Sequence, residues 1–157
     1  MPETVLITRP LVAAKQFAQS LPEGLHPILS RLTRIVAEPG QAPASKGFSG
    51  VIFTSAQGVA LLPKRWGVGM TAWCVGTRTA QAAEEAGFHT RVGPGNGAGL
   101  LALLRQEAEG PLLHVRGAEL ATDIAGPMRE AGTVVEEHVL YHAEPQDLNA
   151  EAEDALA

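Results

Sequence analysis

The chain has 157 residues, of which 45% are hydrophobic and 18% charged, and this composition predicts a folded protein with a sizeable core rather than a disordered one. Its 12 Lys and Arg against 17 Asp and Glu leave a formal net charge of −5, which argues against nucleic acid or an anionic membrane surface as a partner. No run approaches about 18 consecutive apolar residues and the first residues lack the pattern of a signal peptide, so we expect a cytoplasmic protein with no membrane span.

The first fifty residues alternate short β-rich segments with one helical segment. We predict strands at residues 5–8 and 25–29 and a third extended segment at 31–37. Apolar residues at helical spacing predict a helix between the first two strands: Leu11, Ala14, Phe17, Ala18 and Leu21. Residues 38–50 are rich in Pro, Gly, Ser and Ala, which is typical of a connector and indicates a domain boundary.

A longer series of strand–turn–helix units begins at residue 50. Its features predict strands at 51–54, 71–75, 89–92 and 112–115, with helices at 56–63, around 80–86, at 100–108 and at 118–131. Ser55 is placed to cap the first of these helices, and Gly87 to end the second where a left-handed residue is favoured. We predict that residues 134–141 are extended and that residues 150–157 form an acidic helix. The repeated units predict an α/β fold, with mostly parallel sheets flanked by helices on both faces.

Ligands of open α/β sheets collect at the carboxyl ends of the strands, where each strand turns into a helix. In this chain those turns are small or hydroxylated, and three of them contain Arg. Free N–H groups at helix N-termini and bidentate Arg side chains both favour carboxylates, so a ligand with several carboxylates fits this layout. Ordinary helix caps and surface arginines are the alternative interpretation. The four turns are residues 8–10, 54–56, 76–79 and 116–118.

Other kinds of chemistry have weaker support. Gly93-Pro-Gly-Asn-Gly97 looks like a phosphate loop, but the spacings of the dinucleotide and Walker motifs are absent. The five histidines are scattered, so we expect no metal site. Cys74, the one cysteine, lies inside a predicted strand and offers neither a disulfide nor an exposed nucleophile. Tyr141, the sole tyrosine, is either a packing residue at a strand edge or a proton donor at the mouth of a cleft.

Five segments together resemble uroporphyrinogen-III synthases, in that family's order and spacing, over essentially the whole chain. They are Val5-Leu-Ile-Thr-Arg-Pro10, Val51-Ile-Phe-Thr-Ser-Ala-Gln-Gly-Val59, Cys74-Val-Gly-Thr-Arg-Thr-Ala80 with Glu85-Ala-Gly-Phe88, Leu113-His-Val-Arg-Gly117, and Leu140-Tyr-His-Ala-Glu-Pro145. The resemblance implies a cytoplasmic lyase of haem and tetrapyrrole biosynthesis that needs no cofactor. Such an enzyme cyclises linear hydroxymethylbilane to uroporphyrinogen III, with inversion of the D ring through a spiro intermediate and loss of water.

The resemblance also implies roles for particular residues. Tyr141 matches the family's tyrosine on the returning connector, whose role is to assist departure of the hydroxyl as water. No metal is implied. The substrate-binding residues that it implies are Arg9, Thr54, Ser55, Ala56, Gly76, Thr77, Thr79, Arg116 and Gly117.

The domain plan implied by the resemblance is two α/β domains joined by a two-strand connector, with the substrate in the cleft between them. Residues 38–138 would form a complete inserted second domain, and residues 1–37 with 139–157 a first domain that lacks its C-terminal part. A non-catalytic tetrapyrrole- or anion-binding α/β domain is therefore the alternative. A flavodoxin-like module ranks last, because the acidic cluster and strand-end Lys of phosphoryl-accepting receivers are missing.

Hydroxymethylbilane is the small-molecule partner implied, with a transient contact to hydroxymethylbilane synthase. The family is usually monomeric, and an incomplete first domain would allow self-association.

Overall fold

A computed structural model describes residues 3–157 of the chain, which form two compact units. One unit contains the residues up to Val36 together with Ala143–Ala157, and the other contains Ala37–His142. The described elements are, in order, β1 Glu3–Ile7, α1 Leu11–Gln19, β2 Leu25–Leu29, β3 Thr33–Ala37, β4 Gly50–Phe53, α2 Ala56–Leu61, β5 Thr71–Cys74, α3 Thr77–Glu85, β6 His89–Val92, α4 Gly97–Glu107, β7 Leu112–Gly117, α5 Ala125–Glu130, β8 Val135–Pro145 and α6 Ala150–Leu156.

The first unit is built on a two-stranded parallel sheet. Strands β1 and β2 pair in register from Glu3 opposite Leu25 to Ile7 opposite Leu29. Asn149 ties helix α6 to this sheet, because its side chain caps the helix by accepting from the Ala152 N–H at 2.9 Å and donates to the Leu29 carbonyl at 2.8 Å. The unit therefore holds its last helix by a cap and by a bond to strand β2.

The second unit contains most of a six-stranded sheet with the order β3-β8-β7-β4-β5-β6. The neighbouring pairs from β8 to β6 are all parallel. Every residue of β4 is buried, as expected for a central strand covered on both faces. Successive side chains of the strands enter opposite cores, so Phe53 packs with Cys74 on one face while Ile52 packs with Trp73 on the other.

The α/β class with parallel sheets flanked by helices is confirmed. Strands β3 and β8 each contain residues of both units, and the predicted domain plan stays a prediction. Gly87 follows helix α3 with φ +97°, which confirms its predicted left-handed conformation.

The helix predicted at residues 118–131 is wrong in its first half, because only Ala125–Glu130 is helical. Pro127 has no N–H to donate and suits only the first turn of a helix. The Asp123 carboxylate accepts from the Gly126 N–H at 3.0 Å just before this turn. These two residues place the start of α5 later than the apolar pattern does, and they leave residues 118–124 as irregular chain.

Helix α4 begins earlier than predicted, at Gly97 rather than at residue 100. The Asn96 side chain caps it by accepting from the Gly99 N–H at 2.8 Å. The glycines of residues 93–97 therefore lead directly into a helix rather than into a longer loop.

Candidate functional site

The strand order of the second unit creates a topological switch point. Counted from β4, the five parallel strands lie in the order 3-2-1-4-5, so the direction of the crossovers reverses between β4 and β7. Open α/β sheets bind ligands in the crevice at the carboxyl ends of the strands at such a point.

A cavity of about 460 Å³ lies at this position, and we refer to it as the switch-point cavity. The turns after β4, β5, β6 and β7 line it, together with one residue of β8. Its lining residues are Thr54, Ser55, Val75, Gly95, Asn96, Gly97, Gly117, Glu119, Leu120, Ala121, Thr122 and Tyr141.

The two hydroxyl groups of Ser55 and Tyr141 meet in this cavity. Ser55 Oγ and Tyr141 Oη lie 2.6 Å apart, and both residues are half-buried. Ser55 also caps helix α2, because its Oγ accepts from the Gly58 N–H at 3.4 Å. The predicted cap at Ser55 is thus confirmed, and the structure brings it together with Tyr141.

A β-bulge directs Tyr141 toward Ser55. Arg116 pairs with Val139 but the next residue, Gly117, pairs with Tyr141, so Leu140 is the extra residue on β8. Regular alternation would place Leu140 and Tyr141 on opposite faces of the sheet. The bulge instead lets both pack against the same core, which also contains Phe53 and Val115.

Gly117 is the close neighbour of the tyrosine ring. A Cβ at this position would lie 2.6 Å from Tyr141 Cε2 and 2.9 Å from Cζ, nearer than real Cβ contacts come. The Ala118 N–H donates to the Tyr141 carbonyl at 2.8 Å on the same stretch of strand. The Tyr141 ring can therefore occupy this position because residue 117 has no side chain.

Arg116 uses its side chain to hold the turn and does not line the cavity. Its Nε donates to Glu137 Oε1 at 2.9 Å, and its Nη1 donates to the carbonyls of Gly117 at 2.9 Å and Ala118 at 3.2 Å. The other oxygen of Glu137 pairs with Arg129 Nη1 at 3.3 Å. A direct contact of Arg116 with substrate stays a prediction, while its observed bonds shape the turn that carries Gly117.

Three of the predicted residues are not among those that line the switch-point cavity. Ala56 lines another cavity of about 470 Å³ next to Trp66 and Phe88. Thr77 is exposed on the first turn of α3 and Thr79 is buried there. These positions stay predictions as substrate contacts.

Two further predicted residues lie beside the switch-point cavity or at a different cavity. Gly76 approaches the lining loop, since a Cβ on it would lie 3.1 Å from the Gly95 Cα. Arg9 belongs to the first unit, where its guanidinium lies 4.7 Å from the centre of the Phe17 ring and where it lines a cavity of about 350 Å³.

Asn96, Gly97 and Thr122 line the cavity but are not among the predicted site residues. Gly97 faces Thr122 so closely that a Cβ on Gly97 would collide with the threonine side chain. The sequence motif of the turn after β6 suggests only a phosphate loop, although the rule that ligands bind at strand ends applies to this turn as well. That rule, used for every strand, would have included Asn96 and Gly97.

The titratable core residues do not contribute a nucleophile or a metal site. Burial raises the pKa of the Cys74 thiol to about 12, with a smaller contribution from Glu84, so the thiol stays protonated and inert, as its place in a strand predicts. Residues 3–157 contain no cluster of three or more His, Cys, Asp or Glu side chains able to hold a metal ion. None of the helices in this range has the length and apolarity needed to cross a bilayer.

Comparison with known proteins gives the following matches. A family model described as uroporphyrinogen-III synthase HemD matches residues 18–157. The structure of uroporphyrinogen-III synthetase from Helicobacter pylori superposes with a TM-score of 0.63 at 18% identity, over 100% of this chain and 68% of that one. A mutant uroporphyrinogen III synthase from the extremely thermophilic bacterium Thermus thermophilus superposes with a TM-score of 0.61 at 22% identity, over 92% of this chain and 64% of that one.

At these identities the two structures show a shared fold. The chain spans about two thirds of their length. A search of curated proteins gives no match.

Proposed function

We propose that this chain, which belongs to the HemD family of uroporphyrinogen-III synthases, binds hydroxymethylbilane in the switch-point cavity and closes it to uroporphyrinogen III. The observation that carries the proposal is the Tyr141 hydroxyl, which lies at the switch point 2.6 Å from Ser55 Oγ. A phenol placed there suits a reaction in which a substrate hydroxyl departs as water.

Substrate binding in this cavity relies on neutral donors. The lining contains the side chains of Thr54, Ser55, Asn96, Thr122 and Tyr141 but no Lys or Arg among the described residues, and Glu119 is its one acidic residue. Helix α4 starts at the cavity with Asn96 as its cap, so the N–H groups of its first turn add donors for the carboxylates of the substrate. We therefore expect hydrogen bonds rather than ion pairs to hold those carboxylates at this cavity.

Tyr141 acts as the general acid in the proposed reaction. The phenol gives its proton to the departing hydroxyl oxygen, and the C–O bond breaks with its electron pair leaving on water. The substrate carbon is left as a cation, and the substituted carbon of the D ring attacks it to form the spiro intermediate. The older bond from that carbon to the methylene bridge toward ring C then breaks, and the methylene bonds to the free position of the D ring, which loses a proton as the ring closes in the inverted orientation. The reaction is then that of a hydro-lyase without a cofactor. Holding the linear chain so that the D ring meets the end of ring A supplies the rest of the rate through orientation.

The test is the Tyr141→Phe substitution. General acid catalysis typically contributes 10²–10⁴-fold, so we expect a fall of about a hundredfold or more in the rate of uroporphyrinogen III formation. The phenyl ring keeps its packing, so the free energy of unfolding should fall by only about 1 kcal/mol, for the lost hydrogen bond to Ser55. The measurement is a coupled assay that generates hydroxymethylbilane, followed by chromatography of the isomers. An unchanged rate would remove Tyr141 from the mechanism.

The alternative is a tetrapyrrole- or anion-binding domain without catalysis, because the hydrogen-bond donors of the switch-point cavity suit a carboxylate ligand whether or not that ligand reacts. The same assay separates the two functions. Isomer III formed faster than in a blank identifies the enzyme. Spontaneously formed isomer I alone, with quenching of the tryptophan fluorescence by hydroxymethylbilane, identifies the binding domain.

The proposed partners follow from this reaction. Hydroxymethylbilane is unstable to spontaneous cyclisation, so a transient contact with hydroxymethylbilane synthase would shorten its time in water. We propose the cytoplasm as the place of reaction. Self-association through the first unit is the oligomeric form to look for.

A further inference from the structure

We infer that Ser55 is a positioning residue for Tyr141: its hydroxyl orients the phenol and donates a hydrogen bond to the phenol oxygen as that oxygen gives up its proton. The inference rests on the proposed reaction. It assigns Ser55 a role different from the contact with substrate that the resemblance implies.

The positions of the bonds around Ser55 Oγ support this role. A serine hydroxyl carries one hydrogen and two lone pairs. The Gly58 N–H occupies one lone pair at 3.4 Å, and Tyr141 Oη is the other polar atom bonded to Ser55 Oγ among the described residues, at 2.6 Å. The serine hydroxyl can therefore either accept from the phenol or, after rotation about its C–O bond, donate to it.

Which of the two hydroxyl groups donates depends on whether substrate is bound. Without an acceptor in the cavity, the phenol is the more acidic hydroxyl and donates to Ser55. When the departing hydroxyl of the substrate accepts the phenol hydrogen, Ser55 rotates and donates to the phenol oxygen. No atom other than hydrogen has to move.

The bond to Ser55 then stabilises the charge that develops on Tyr141. The proton moves from Tyr141 Oη to the departing oxygen, the electron pair of the C–O bond leaves with water, and a phenolate remains. A hydrogen bond donated to the charged form of an acid favours that form. The phenolate regains a proton when ring closure releases one, so the residue ends the cycle as it began.

The surrounding structure holds the two hydroxyls in place. Ser55 is fixed by its cap on helix α2, and Tyr141 is fixed by the bulge at Leu140 and by its contact with Gly117. Both residues lie in the same compact unit, in the turn after β4 and on strand β8. Because separate elements fix the two hydroxyl groups, the hydrogen bond between Ser55 and Tyr141 is not a by-product of the helix cap alone.

The test uses the fact that Tyr141 is the sole tyrosine, so the tyrosine doublet of the Raman spectrum reports the hydrogen bonding of this phenol alone. Ser55→Ala removes the hydroxyl that bonds to the phenol and should change the intensity ratio of the doublet. Ser55→Thr keeps the hydroxyl and should restore the wild-type ratio. Tyr141→Phe provides the spectral blank, and circular dichroism checks that each variant stays folded.

The control separates this effect from the loss of a helix cap. Asn149→Ala removes the cap of α6 in the other unit and should leave the Raman doublet of Tyr141 unchanged. In the assay with hydroxymethylbilane, Ser55→Ala should lower kcat about tenfold with little change in KM, and Ser55→Thr should recover most of it.

The outcomes separate the inference from the proposed function. An active chain in which Ser55→Ala leaves the Raman doublet of Tyr141 unchanged overturns the inference alone. A wild-type chain that forms no isomer III overturns the proposed function, even where the doublet still responds to Ser55→Ala. A changed doublet together with a lower kcat supports both.

Discussion

Gly117 is a residue at which the candidate site tolerates little change. Its missing side chain leaves room for the Tyr141 ring, since a Cβ there would lie 2.6 Å from Cε2. The sequence marks this glycine as part of a strand-end turn, but the reason for it is a contact with a residue 24 positions later along the chain. Only the pairing of β7 with β8, bulge included, brings the two together.

We predict that Gly117→Ala lowers the free energy of unfolding by about 1–3 kcal/mol, the usual cost of overpacking, and moves the phenol away from Ser55. Urea unfolding followed by tryptophan fluorescence measures the first effect, and formation of uroporphyrinogen III measures the second. In a Tyr141→Ala background the added methyl group has room, so there the same substitution should cost little. An equal cost in both backgrounds would show that the ring is not what Gly117 accommodates.

At the scale of elements, a network of charged side chains joins β7, β8 and α5. Glu137 on β8 accepts from Arg116 on β7 and from Arg129 on α5. Arg129 also donates to the Val135 carbonyl, from Nε at 2.9 Å and from Nη2 at 2.6 Å. One carboxylate therefore links three elements that a strand–helix pattern describes separately.

We predict that Glu137→Gln lowers the free energy of unfolding by about 2 kcal/mol, because it weakens two charge-assisted hydrogen bonds, of which the one to Arg116 is mostly shielded from water. The matched control is Glu107→Gln, which removes the partner of Arg91 from a more exposed ion pair of the same unit. Exposed pairs are worth about 0–1 kcal/mol, so the control should lose less. Equal losses in urea unfolding would show that the Glu137 network adds no more than a surface pair.

Sequence patterns predict the elements well where local chemistry decides them. The strand at β4 is a buried apolar run, Ser55 caps α2, and Gly87 ends the turn after α3. The patterns fail where a turn residue competes with apolar spacing, as at Pro127, which suits only the first turn of a helix and so delays α5.

The site is predictable only in part, for a similar physical reason. Strand-end turns identify Thr54, Ser55 and Gly117 as neighbours of a ligand, because parallel strands bring their carboxyl ends to one edge of a sheet. Where a long side chain points depends on its partners in space. Arg116 suits a carboxylate ligand by its chemistry, yet it bonds to Glu137, which is 21 residues away in the chain.

At the scale of the whole molecule, the second unit carries the switch-point cavity and both of the larger apolar cores. His114 lies inside this unit on β7, fully buried, and neither of its ring nitrogens has a hydrogen-bond partner among the described residues. It shares its face of the strand with Leu112, which packs with Ile52 and Met128. The stability of the whole unit therefore depends on keeping this imidazole neutral.

The pKa of His114 falls from 6.5 to about 4, chiefly because the imidazole is buried; Glu137 opposes the shift, Arg116 contributes to it, and Asp123 opposes it. Between these two values the unfolded chain binds a proton that the folded chain does not, so the free energy of unfolding falls as the pH falls. The full shift corresponds to about 3 kcal/mol, gained above pH 6.5 and lost progressively down to about pH 4.

We predict that His114→Leu removes most of this pH dependence, because the substituted side chain neither titrates nor carries unpaired nitrogens. Urea unfolding at neutral pH and at about pH 4.5 measures the difference for wild type and variant, within the window that the shifted pKa sets. His89→Gln is the control, since His89 is exposed and its removal should leave the wild-type slope. If His114→Leu loses stability as steeply as wild type, the acid sensitivity arises from the carboxylates and not from the buried imidazole.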